Sequence, residues 1–128
     1  MTADIKVGEL TTYSIGDEGN SIVLRLTDQH GQPVSLTFGV HDLGMLAMTL
    51  PTLIEAALRK QYGDANFRYT HPMGEWSVEQ SSDPAQLIIT MKTKDGFGVS
   101  FSVLHAKAEH FGNALTDAVS IPATPAFH

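Results

Sequence analysis

One change of period constrains this chain more than any other feature. Val34-Ser35-Leu36-Thr37-Phe38 alternates apolar and polar residues, and directly after it Leu43, Leu46, Ala47, Leu50, Ile54, Ala57 and Leu58 recur at helical spacing. A period of two is a half-buried strand, and a period near 3.6 is a helix with one apolar stripe. The same switch returns 65 residues later, where Val99, Phe101 and Val103 precede Ala108, Phe111 and Leu115. Sliding the second half over the first needs no gap: Ile22-Leu24-Leu26 meets Leu87-Ile89-Met91, and Gly31 meets Gly96. Over Ile22 to Leu50 the identities are Gly31/Gly96, Val34/Val99, Ser35/Ser100 and Leu50/Leu115, so the repeat is one of pattern.

The remaining elements fit the same plan. Ile5 to Ile15 has strand character, Gly16 to Asn20 is a turn, and Ser21 to Thr27 alternates. Asp28 to Pro33 turns the chain into Val34 to Phe38, and a helix is expected over His41 to Tyr62, stopped by Gly63. Pro51 lies inside that helix, where a missing hydrogen bond costs about 3 kcal/mol, so a kink or break is expected near Thr49-Leu50. In the second half Phe67-Arg68-Tyr69 and Trp76-Ser77-Val78 are strand candidates, followed by the alternating runs and a helix over His105 to Val119. The tail from Pro122 to His128 is expected to be loose.

The expected fold is therefore α+β: two similar antiparallel β-meander-plus-helix units, residues 1–64 and 65–128, related by a pseudo-twofold within one compact domain. The apolar phase predicts a core of Leu24, Leu36, Phe38, Leu46, Leu50, Ile89, Phe101, Phe111 and Leu115, with Trp76 in the same inward phase. Met45, Met48 and Leu53 lie off the main stripe of the first helix, which makes it apolar on more than one side and marks it for burial by the second helix or a partner.

Composition narrows the function classes. The chain has no cysteine, which removes disulfides, thiolate metal sites and a cysteine nucleophile and fits a reducing, cytoplasmic setting. Its N-terminus lacks the layout of a signal peptide, and its most apolar run holds Pro51 and Glu55 and is too short to span a membrane. A net charge of −6 opposes binding to phosphate backbones unless the few cations cluster.

No stretch specifies a reaction. His105 and His110 flank Glu109, but five residues of helix turn about 500°, which separates the two imidazoles by about 140°. His105 and Glu109 share a face and supply two ligands at most, so no metal and no cofactor are expected. There is no Gly-x-Ser-x-Gly elbow and no Ser-x-x-Lys. Gly96-Phe97-Gly98 joins two strands instead of opening a helix, which excludes a phosphate cradle. The outward sheet phase is rich in hydroxyls and carries three cations, Arg25, Arg68 and Lys92, the candidate binding residues; Glu79 shares that phase.

Two meanders each ending in a helix resemble the Whirly family of single-stranded nucleic-acid-binding proteins in element order, over nearly the whole chain. That family's basic Lys-Gly-Lys-Ala type strand motif has no counterpart here, so no binding residue is carried over. The resemblance implies the fold and, as the runner-up function, single-stranded nucleic-acid binding. The first expectation is a non-catalytic binding or assembly module, acting as a homodimer or with another protein partner. A small enzyme with a pocket of Tyr69, His71 and Trp76 is the third.

Overall fold

The computed structural model describes residues 2–121; the tail expected to be loose lies outside them. The chain divides into two compact units, Met1–Phe67 and Arg68–His128, each a three-stranded antiparallel sheet followed by a helix. The first holds β1 (Val7–Ile15), β2 (Ser21–Asp28), β3 (Pro33–Gly39) and α1 (Val40–Tyr62). The second holds β4 (Glu75–Gln80), β5 (Gln86–Lys92), β6 (Gly98–Leu104) and α2 (His105–Ser120). In each sheet the middle strand of the sequence is the middle strand in space.

The 65-residue repeat holds at the level of single register pairs. Ser21↔Gly39, Leu24↔Leu36 and Thr27↔Pro33 in the first sheet become Gln86↔Leu104, Ile89↔Phe101 and Lys92↔Gly98 in the second. On the other side Tyr13↔Leu24 and Ile15↔Ile22 become Val78↔Ile89 and Gln80↔Leu87. The turns match too: Asp28 N donates to Gln32 O at 2.9 Å and Thr93 N to Phe97 O at 2.8 Å. Gly31 and Gly96 take φ of 80° and 96°, a left-handed region in which a Cβ is strained, which explains their identity in a repeat of so few identities. The side chain bracing the turn differs, since the Asp28 carboxylate accepts from His30 N and Gln32 N where the Thr93 hydroxyl accepts from Phe97 N. The units part company at β1, which carries register shifts between Val7 and Glu9 and between Leu10 and Thr12.

The helices start on equivalent residues, Val40 and His105. α1 runs through Pro51 as one helix of 23 residues, so the break expected there is absent. One lost hydrogen bond is a small part of so long a ladder, and the Thr49 hydroxyl bonds Met45 O at 2.9 Å in the turn before the proline. Gly63 closes α1 in the left-handed conformation, its N–H turned back to Arg59 and Lys60 carbonyls. Phe67-Arg68-Tyr69 is not a strand. The run lies just before Pro72. Phe67 is instead drawn back to α1, its carbonyl accepting from Arg59 Nε at 2.9 Å and its ring 5.2 Å from Tyr62.

The predicted core is corrected by the structure. Leu26 is the one buried hydrophobic among the described residues, at 6% exposure. Leu24, Phe38 and Ile89 are half-buried, and Leu36, Leu46, Leu50, Phe101, Phe111 and Leu115 are exposed. Met45, Met48 and Leu53 on α1 are likewise uncovered. The phase of each strand is right, because register pairs these residues across one face of each sheet. What the phase does not supply is a cover for that face.

Candidate binding surface

The register builds the surface rank by rank. On one face of the second sheet lie Trp76, Met91 and Val99, then Val78, Ile89 and Phe101, then Leu87 and Val103. Each rank is three strands wide because directly opposed residues of antiparallel strands point to the same side. α2 lies over this face with Ala108, Phe111, Gly112 and Leu115 turned toward it, residues spaced three and four apart. Ile89, Met91 and Phe111 line the space on both flanks of the helix, so the helix meets the sheet along that line and leaves a groove on each side. The groove toward β4 measures about 520 Å³ and the one toward β6 about 450 Å³. Trp76, at 67% exposure, stands at the mouth of the larger one.

The first unit repeats the arrangement. Its ranks are Ile15, Ile22 and Phe38, then Tyr13, Leu24 and Leu36, then Leu10, Leu26 and Val34. Tyr13 and Ile15 are 70% and 67% exposed, and on α1 the stripe residues Leu46, Leu50 and Ile54 are open as well. Both units thus present a wide apolar face that their own helix covers in part.

The opposite faces are polar and hold two of the three cations singled out. Arg25 lies on β2, opposite Thr12 and Ser35, and its Nη1 donates to Ser14 Oγ at 3.2 Å. Lys92 lies on β5 opposite Glu75 and Gly98, beside the Thr90–Ser100 hydroxyl pair at 2.7 Å. Arg68 is not on a sheet face, since its segment is irregular. Arg25 belongs to the first unit, and Lys92 and Arg68 to the second.

The other candidates resolve as follows. Tyr69 and His71 meet edge to face at 4.8 Å, and His71 lies 5.5 Å from Phe97, an exposed ring cluster; Trp76 faces the helix groove instead. Beside His71, Asp95 is held below the ordinary carboxylate range, first by the Thr93 hydroxyl at 2.5 Å, then by its own backbone N–H and the nearby imidazole. Among the described residues no three His, Asp or Glu side chains converge as metal ligands, and no helix is long and apolar enough to cross a membrane. The residues sequence reasoning misplaced are those of the grooves, Trp76, Phe101, Phe111 and Leu115, assigned there to a closed core. No protein-family model, no curated protein and no solved structure matches the chain.

Proposed function

We propose that this chain is a non-catalytic binding or assembly module whose working surface is the apolar sheet face and helix of each unit. One observation carries the reading: a face built from three strands and a helix stays open to solvent in both units, with Leu26 the one buried hydrophobic among the described residues. Ordinary monomers expose contiguous apolar patches of at most a few hundred Å², and larger ones mark sites where another surface docks. Catalysis has no comparable support, since no acid or histidine is among the residues lining the second unit's grooves, which are apolar apart from Gln86, Ser102 and Lys107. The absence of cysteine suits work in a reducing compartment such as the cytoplasm.

Titration with an apolar fluorescent dye tests the reading. Dilute wild-type chain that unfolds cooperatively should bind the dye, and Val78→Glu, placed at 51% exposure on the apolar face, should bind much less. A cooperatively folded chain that binds no dye down to nanomolar concentration contradicts it.

A further inference from the structure

We propose that β6 takes up an extended, acid-led peptide segment of another protein as a fourth strand of the second sheet, an inference that rests on the binding reading above. Register parity makes the first argument. Thr93 N donates to Phe97 O at 2.8 Å and His105 N to Ala85 O at 3.1 Å, one bond at each end of the β5–β6 ladder. Hydrogen-bonded pairs alternate along antiparallel strands, so between those bonds they are Met91↔Val99, Ile89↔Phe101 and Leu87↔Val103. Gly98, Ser100 and Ser102 therefore turn their N–H and C=O groups outward, where no described residue pairs with them. A row of donors and acceptors at strand spacing selects an extended main chain over a helix or a small molecule.

The other edges are guarded. β1 is broken by register shifts, β3 has Pro33 where β6 has Gly98 and so lacks that N–H, and β4 carries Glu75 and Glu79. Sheets use such devices to keep foreign strands away. β6 has neither a charge nor a proline.

The groove beside this edge narrows the occupant's chemistry. Phe101, Val103 and Phe111 line it, and a strand paired to β6 sends every second side chain to the same face. Lys107 is the one charged residue in the lining, which holds no acid, so charge complementarity asks the occupant for a carboxylate. Both ladders of the sheet are antiparallel, and an added antiparallel strand has its N-terminal end beside Leu104, which shares the groove with Lys107. The segment that fits therefore leads with an acidic residue and continues with apolar side chains at alternate positions. β6 of a second copy carries no acid and does not meet this requirement.

Fluorescence anisotropy of the full chain with a labelled peptide, one glutamate followed by alternating threonine and valine, tests the inference. The peptide should bind. Its threonines oppose the serines of β6 and turn their N–H groups toward it, so N-methylating them should weaken binding at least about tenfold, the loss of two or three backbone hydrogen bonds. N-methylating the valines, whose N–H groups face away, should weaken it far less. Lys107→Glu should weaken binding of this peptide and favour the same peptide led by lysine. Ser100→Pro, which removes an outward N–H and leaves the ladder to β5 intact, should weaken both. No binding up to about 1 mM overturns the inference. So does a peptide indifferent to threonine N-methylation, which is then held by apolar contact alone. Self-association of the chain that Ser100→Pro abolishes overturns it too, because the edge then pairs with its own copy. Dye binding by the apolar face is read apart from the edge, so each of these results leaves the binding reading to its own test.

Discussion

Leu115→Ala separates a face closed by its own chain from one left open for a partner. Leu115 lines the larger groove and is 55% exposed, so a little under half of its surface is hidden within the unit. Full burial of a leucine side chain stabilises by about 1.5–3 kcal/mol, and the hidden part accounts for about 1 kcal/mol. If the chain itself closed the groove, truncation would also leave a cavity, and the cost would rise to the core range of about 2–5 kcal/mol. Urea unfolding of dilute chain tells the two apart. With a slope of about 2 kcal/mol per molar, the midpoint should fall by about 0.5 M, against about 1–2.5 M for a closed groove. A loss of about 3 kcal/mol would refute the reasoning, because Leu115 would then be covered within the single chain. A loss near zero would refute it equally, leaving no hidden part for the truncation to remove.

Other expectations follow from local geometry. Gly31→Ala and Gly96→Ala should each cost about 1 kcal/mol in denaturant unfolding, since a left-handed L-residue costs roughly 1–2 kcal/mol and the stiffer unfolded chain returns part of it; a cost at one turn alone would break the equivalence of the two. Asp95 has a depressed native pKa, so its contribution to stability is present above the unfolded value of about 3.9 and is lost as pH falls through the lower native one. Asp95→Asn should flatten that acid-side slope in a series of melts, lowering stability slightly at neutral pH, as befits an exposed group, and leaving the acid end of the series unchanged. Fluorescence anisotropy with a labelled single strand should give a dissociation constant weaker than micromolar at about 150 mM salt, because the net charge is −6 and the exposed Trp76 and Phe101 lie on the sheet face away from Lys92. Tighter binding would favour the nucleic-acid alternative.

Much of this fold is written in the sequence because its determinants are local. The alternation in Ser21 to Thr27 and Val34 to Phe38, the glycines at the turns and Gly63 after the last helical turn each act within a few residues, and each element lies where they place it. The short run Phe67-Arg68-Tyr69 has β-propensity and is not a strand, because propensity in so short a run is a weak signal and the Arg59 guanidinium holds the Phe67 carbonyl to α1. Of the kink or break expected at Pro51 the break is absent, since a helix of 23 residues outlasts the loss of one bond. The core was misjudged for a different reason. Periodicity tells that Leu46 or Phe101 belongs to the apolar side of its element, but the same pattern arises whether that side is covered by its own chain or by another. Whether the face is closed is a non-local fact, and Trp76, Phe111 and Leu115 passed for core residues on that account.

Residue-resolved hydroxyl-radical footprinting tests the central claim most directly, because it reads the face side chain by side chain. In dilute chain Trp76, Met91 and Phe111 should be labelled together, as exposed Tyr69 and His71 on the ring cluster are. Protection of the three where the ring cluster is labelled would contradict the account.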